Sequence, residues 1–356
     1  MEFARWLAIS PLLVAVAAGW PGAGSIAGPL AAEPAWEPPP CLAEAVLPSG
    51  QATWYRLEPL LDRTGTLSGR TLTLGIGETA GRSLVLAPES FASGPVSGIV
   101  LTGEDDGTAS HLRLLDVARG CATAVAEEAD VIRSATLAAD GQTLYEHRVD
   151  RMTREDLGVW RRSLDGGAGR VLAGLAPDRR LGPTFSTTLV LAADGRLTVS
   201  SCAPAGCRVR VLDPASGAVT LVREVGTGLG TIGETLIARE ACPGLPCPVV
   251  SVDLASGRRS ILAAWVFAAA IGGRAGDRLV VETAGDRFAV VELAGAGVTR
   301  MAGPGMPLFR GSAATAGAEG PPGTIALVPR DWSGGRGIRL LDLDGSPSRP
   351  QPGASR

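Results

Sequence analysis

From residue 52 onward the chain is a succession of short apolar runs rich in Val, Leu, Ile and Thr, cut at close intervals by Gly, Asp, Ser and Pro. Runs of this kind, bounded by turn residues, predict β-strands. No long segment carries the i, i+3, i+4 spacing of an amphipathic helix. Some runs alternate apolar and polar residues, as in "VRVLD"; others are continuously apolar, as in "RLVVE". The second type predicts strands covered on both faces.

The runs repeat. A strand ending in Asp or Glu and followed by a turn recurs as "LRLLDVARG" (112–120), "VWRRSLDGG" (159–167), "VRVLDPASG" (209–217), "VVSVDLASG" (249–257), "AVVELAGAG" (289–297) and "IRLLDLDG" (338–345). The anchors Asp116, Asp165, Asp213, Asp253, Glu292 and Asp342 stand 39 to 50 residues apart. Ahead of several anchors lies a tight turn of Gly with Asp, as in "LAADGQTLY" (137–145), "LAADGRLTV" (191–199) and "RAGDRLVVE" (274–282). Gly supplies the positive φ such turns need. Each unit reads as strand, tight turn, strand, variable loop, strand ending in the anchor, turn, strand. Four strands in about 40–50 residues predict a propeller blade. The expectation is an all-β chain: a single β-propeller of four-stranded blades over 43–345. Residues 52–87 form a degenerate first blade and bring the count to seven. Six is the alternative, if 52–87 only completes the last blade. "AEAVLP" (43–48) is expected to close the ring as an N-terminal strand on the outside of the last blade.

The stretch "SATLAADGQTLYEHRVDRMTREDLGVWRRSLDGGAGRVLAG" (134–174) resembles the WD40-like repeat of TolB-type propellers. It has the Asp-Gly turn, the strand ending in Leu-Asp-Gly-Gly and a short Leu-rich strand. The resemblance extends over most of 50–345 and is strongest in two or three units. It implies a propeller in a periplasmic or extracellular setting and carries no catalytic residues. The stretch before the repeats leaves no room for the extra α/β domain of TolB, so a TolB-like partnership is not expected.

The N-terminus agrees with that setting. An apolar run from Trp6 to about Ala18 follows Arg5 and gives way to small residues, the pattern of a secretory signal. Cleavage is expected after Ala27 or Ala32, leaving no transmembrane segment; an uncleaved anchor is the alternative. Residues 1–32 are the signal, 33–42 a stiff Pro-rich linker, and 346–356 a disordered tail.

Composition excludes several classes. The 356 residues are 45% hydrophobic and 19% charged, which rules out a disordered chain. No Lys occurs, so all 33 cationic side chains are Arg; the net charge is -3. That balance does not mark a nucleic-acid binder. Asn is also absent, and with it the N-glycosylation sequon. The expected partner is an envelope protein, peptide or glycan, and the expected state is a monomer.

Six cysteines remain. Cys202 and Cys242 each stand 11 residues before their anchors, and Cys207 and Cys247 each stand 6 before. Both pairs therefore occupy the connection between second and third strands in neighbouring blades. Opposed strand residues lie within disulfide reach, and an even cysteine count in an exported chain predicts bridges. A four-cysteine zinc site is the rival, and would require the two loops to converge on one metal. Cys41 and Cys121 pair by elimination.

Candidate chemistry is sparse, and no cofactor or metal is expected. His111 and His147 are the only histidines, and no G-x-S-x-G is present. "EDDG" (104–107) and "DLDG" (342–345) read as polar hairpin turns rather than calcium loops. The alternative function is a propeller hydrolase or lyase with carboxylates in the central channel. One loop stands out, "YEHRVDRMTREDLGVWRR" (145–162), in the same connection as the cysteine pairs. Arg148, Asp150, Arg151, Arg154, Glu155 and Asp156 are its candidate binding residues. If the loop makes one helical turn, the three arginines share a face suited to an acidic partner.

Overall fold

The computed structural model describes residues 38–41 and 51–343 apart from short internal stretches, the longest at 176–185, 309–315 and 329–337. Apart from a 3₁₀ position at Leu175, all described regular structure is β. The signal at 1–32, the closing segment at 43–48 and the tail at 346–356 lie outside the described residues.

Three strands open the chain: β1 (Thr53–Leu61), β2 (Leu67–Ile76) and β3 (Thr79–Leu86). Blade 2 holds β4 (Phe91–Val96), β5 (Ile99–Asp105), β6 (Ser110–Asp116) and β7 (Cys121–Glu128). Blade 3 holds β8 (Val131–Leu137), β9 (Thr143–Val149), β10 (Asp156–Ser163) and β11 (Arg170–Val171). Blade 4 holds β12 (Ser186–Leu191), β13 (Leu197–Ala203), β14 (Gly206–Leu212) and β15 (Val219–Arg223). In blade 5 are β16 (Val225–Ile232), β17 (Thr235–Glu240), β18 (Cys247–Asp253) and β19 (Arg259–Val266). Blade 6 comprises β20 (Ala268–Gly272), β21 (Arg278–Thr283), β22 (Arg287–Glu292) and β23 (Gly297–Pro304). Blade 7 shows β24 (Met306–Leu308), β26 (Thr324–Val328) and β27 (Arg339–Asp342). Between β24 and β26 the chain forms β25 (Ala316–Glu319), which pairs not with them but with β1. Blade 1 therefore has the order β25-β1-β2-β3.

Every pairing between named strands of the described residues is antiparallel. The first strands touch in a closed cycle, β25 to β4, β8, β12, β16, β20, β24 and back to β25. They are the innermost strands, and the cycle is the propeller ring of seven described sheets. The predicted anchors Asp116, Asp253, Glu292 and Asp342 end the third strands of their blades, and Asp213 directly follows its own. Residues 53–86 supply three strands of a four-stranded sheet that β25 completes, rather than an addition to the last blade. The ends of the ring are joined where the late strand β25 completes the N-terminal sheet, Trp54 lying opposite Ala318.

The core is divided among the seams. Strand side chains alternate in direction, so one blade strand feeds two seams. In β17, Leu236 and Ala238 pack toward blade 4, while Ile237 packs toward blade 6. In β21, Leu279 and Val281 join the seam with blade 5 and Val280 the seam with blade 7. This two-sided covering is why such strands are continuously apolar. Burying each of the Leu, Ile and Val side chains among them stabilises the fold by roughly 1.5–3 kcal/mol.

The Pro-rich segment is not free up to residue 42. Pro39 and Cys41 exchange main-chain hydrogen bonds with Ala122 on the outermost strand of blade 2, and Pro40 bridges Ala122 in parallel. No helix among the described residues is long and apolar enough to cross a membrane.

Candidate binding rim

Strands run up and down within a blade, so all connections between second and third strands gather at one end of the propeller. Three disulfides occur, and no cysteine is free among the described residues. Cys202–Cys207 and Cys242–Cys247 each clip one of these connections, and Cys41–Cys121 ties the N-terminal segment to β7. Cys202 and Cys207 face each other across β13 and β14. With their sulfurs bonded in pairs, the four rim cysteines form no zinc tetrad. The "EDDG" turn is a hairpin turn: Asp105 and Asp106 accept hydrogen bonds from the amides of Gly107, Thr108 and Ala109. His111 Nε2 lies 3.0 Å from Asp106 Oδ2.

The charged loop differs from its expectation. It is a tight turn at 150–155 closed by one i→i+4 hydrogen bond from the Arg154 amide to the Asp150 carbonyl, but Arg148 lies on β9 outside it, so the turn does not align the three arginines. Asp150 stabilises the turn by accepting from the amides of Met152 and Thr153. The Glu155 carbonyl accepts from the Asp150 amide. Arg148 belongs to β9 and is buried, its guanidinium bound by Glu146 and by Glu128 of blade 2. It stacks 4.3 Å from the ring centroid of Trp160, and Arg162 binds the same two glutamates. Arg151 Nη1 pairs with Asp105 of blade 2 at 2.7 Å. Arg154 stands at the turn with φ +60°. The three arginines share no face, and two of them are neutralised by carboxylates of this chain.

Asp156 lies on the other side of the blade and is fully buried. Its Oδ1 meets His147 Nε2 at 2.8 Å, and its Oδ2 accepts from Arg210 of blade 4 at 2.9 Å. Burial by itself raises this carboxyl's pKa. His147, Arg210 and the Gly158 amide outweigh burial and hold it down to about 2. These polar groups clamp blade 3 to its neighbours; they are walls of the seams and are closed to a ligand.

The innermost strands decide where channel chemistry could sit. Among their described residues the only carboxylate is Glu319 of β25, which accepts from the Gly98 amide at 3.1 Å. A pair of facing carboxylates is therefore missing from the described channel strands. Among the described residues, no cluster of three or more His, Cys, Asp or Glu could hold a metal ion.

A different corner of the rim carries exposed apolar side chains that the sequence did not single out. Leu245, inside the Cys242–Cys247 clip, is 57% exposed, and Trp265, near the end of β19, is 72% exposed. Cys247 pairs with Val266, which places Trp265 beside the clip. Trp265 has φ +58°, and such backbone strain in a bulky residue costs about 1–3 kcal/mol. Arg239 of β17 faces the same end. Its Nε is buried with no hydrogen-bond partner, and burial lowers its pKa. In sequence Trp265 sits in "ILAAWVFAAA", which looks like core strand; it falls within the register shift between Ala263 and Val266, where it is turned outward.

No protein-family profile and no curated protein matches the chain. Solved structures do. The chain is similar to TolB from Acinetobacter baumannii at 14% identity and a TM-score of 0.45, over 69% of this chain and 62% of that one. It thus spans less than two thirds of that TolB. A putative TolB from Agrobacterium tumefaciens aligns at 12% identity and a TM-score of 0.42, over 83% and 89% of the two chains. A structure from a study of two prolyl endopeptidases aligns at 15% identity and a TM-score of 0.46, over 74% and 51%. At these values no residue role is transferred, and the propeller assignment rests on the sheets themselves.

Proposed function

We infer that this chain is an exported, non-enzymatic propeller that binds a protein, peptide or glycan of the cell envelope through the rim of second-to-third connections. The observation that carries the reading is the contrast between channel and rim. The described channel strands offer one carboxylate, already occupied by a main-chain amide. The rim offers exposed Leu245 and Trp265 on a hairpin stiffened by a disulfide. Rigid scaffolds that hold exposed loops suit binding. Three disulfides support an oxidising, extracytoplasmic setting.

The test is to express the full chain with its N-terminus intact, fractionate the cells, and present the purified protein to arrays of envelope glycans and peptides. The expected result is recovery outside the cytoplasm and saturable retention of a ligand that is returned unchanged. Cleavage of the retained ligand, abolished by neutralising a channel carboxylate such as Glu319→Gln, would replace this reading with the hydrolase or lyase alternative.

A further inference from the structure

We propose that the cleft between the third-to-fourth turns of blades 1 and 2 is the docking site of Trp36, and that residues 35–37 close over this seam as a latch. The first observation is the cleft. Its walls are Leu74 and Ile76 of β2, Thr79 and Arg82 of β3, and Val117 and Arg119 of the β6–β7 turn. Leu74 and Val117 belong to the apolar cluster that joins the two blades, and Ile76 packs against it. The volume is about 240 Å³. That is below the roughly 300–1,000 Å³ of sites built for cofactors and drug-sized molecules, and it suits one large side chain.

The second observation is the heading of the chain that leads to it. The Ala122 amide donates to the Pro39 carbonyl at 2.8 Å, and Pro40 bridges Ala122 in parallel. Upstream of Pro39 the segment therefore runs back past Cys121 and Gly120, toward the turn that forms one wall of the cleft. Pro38 is half-buried, so the chain is still against the blade at that point. Three prolines at 38–40 hold an extended direction, and a residue before proline is biased the same way. Extended residues span at most about 3.3–3.6 Å each. Trp36, three residues before Pro39, thus comes within about 10 Å of it, a reach that covers the turn.

The third observation is the match of chemistry. The segment "AWEPPP" (35–40) carries a large aromatic residue followed by an acid. An indole fills an apolar cleft while its N–H stays near a polar edge. Two guanidinium groups stand at that edge. Arg82 is exposed and donates from Nη1 to the Gly120 carbonyl at 3.4 Å. Arg119 donates from Nε to Asp116 at 3.0 Å and keeps 30% of its side chain exposed. Glu37 brings a carboxylate to them, and an arginine over the indole face adds a cation–π contact. Cys41–Cys121 holds the segment beside the cleft. A short tether of this kind gives a millimolar effective concentration, which favours this occupant over a free one. The latch lies on the rim opposite the second-to-third connections and leaves that rim open.

The experiment uses the full-length chain with its N-terminus intact. In one arm the photoreactive p-benzoylphenylalanine replaces Trp36, and the irradiated protein is reduced and digested with trypsin. Crosslinks are expected in the peptides 71–82 and 114–119, which carry the two walls of the cleft. In the other arm the emission of Trp36 is taken as the difference between wild type and Trp36→Phe. It is expected to be blue-shifted and at least threefold less quenched by acrylamide than in urea-unfolded protein. Ala118→Phe, which fills the cleft from the turn, is expected to raise the quenching to the unfolded level, and Glu37→Arg to raise it at least twofold. Far-ultraviolet circular dichroism melts establish that each variant folds. Crosslinks only outside those two peptides, or to a second copy of the chain, would overturn the proposal. So would a Trp36 quenched as in the unfolded chain, or one indifferent to Ala118→Phe.

Discussion

At the scale of single residues, the most consequential groups in this chain are charges that sit inside it. Asp156 is surrounded by His147, Arg210 and the Gly158 amide. Its pKa is depressed from an ordinary value near 3.9 to about 2. A depressed carboxyl contributes stability that is fully present above its unfolded pKa and lost as pH falls through its folded one. The wild type is therefore expected to lose about 2–3 kcal/mol between roughly pH 4 and pH 2 from this group. Asp156→Asn should abolish that dependence and cost about 3–5 kcal/mol at neutral pH, because Arg210 then loses its buried counter-charge. Denaturant midpoints of both proteins across that pH range check the sign and the size. The neighbouring arginines give a sharper contrast. Arg148→Glu sets a third carboxylate among Glu146 and Glu128 and should cost at least about 3 kcal/mol. Arg154→Glu, at an exposed turn, should stay within about 0.5 kcal/mol. Equal effects in urea unfolding would contradict the assignment of one to the seam and the other to solvent. The spacing of Arg148, Arg151 and Arg154 could not show this difference. Sequence spacing is shared by a helix face and a hairpin tip, and only the register of β9 against β10 tells which side chains turn inward.

At the scale of elements, the repeating hairpins carry both the regularity and the exceptions. Gly75 lies beneath the Trp54 ring and Gly103 beneath the Phe91 ring, where a Cβ would collide with the aromatic group. The two glycines are in strands because a neighbouring ring needs the space. The disulfides act on different lengths of chain. Cys41–Cys121 spans a sequence separation of 80, whereas each rim clip spans 5. In the chain-entropy account, a closed loop of 80 residues contributes about 4.5 kcal/mol and a closed loop of 5 or 6 about 2 kcal/mol. Replacing Cys41 and Cys121 with serine should therefore lower stability about twice as much as replacing Cys202 and Cys207. Chemical denaturation of the two double variants, compared with wild type, measures the ratio. A larger loss from the short clip would point to native-state geometry rather than loop closure. Both rim clips were legible, because their distances from the anchors are the same in adjacent blades. The docking of Pro39–Cys41 along β7 was not, since proline-rich sequence carries no signal for the strand it meets.

At the scale of the whole molecule, stability depends on closing a ring of blades. Each seam buries its own apolar cluster, and the seam between blades 7 and 1 is built from Trp54 and Ala318 against Ala326 and Val328. Trp54 is fully buried, lies opposite Ala318, and donates its indole N–H to the Gly77 carbonyl at 3.0 Å. Trp54→Ala should cost about 3–5 kcal/mol from the cavity alone, with the loss located where the ring closes. Hydrogen exchange should then show blades 1 and 7 opening first. Uniform loss of protection around all seven sheets would mean the closure is no weaker than any other seam.

The sequence by itself determined the repeating strands, the unit they form, the acidic anchor at or just past the end of the third strand in blades 2 to 7, and the two clipped connections. These follow from properties that travel along the chain: a side-chain period of two, turns that demand glycine, and cysteines at a fixed offset. Tertiary structure alone decided three other things. It sent β25 across to pair with β1, a choice made by sheet closure and carried by only four residues. It folded the charged loop inward onto Glu128, Asp105 and Arg210, because their partners come from neighbouring blades far away in sequence. It also turned Trp265 outward at the end of β19, opposite the Cys242–Cys247 clip. Whether a residue in an apolar strand faces a seam or solvent depends on a bulge in its register, and that is set by the strand beside it.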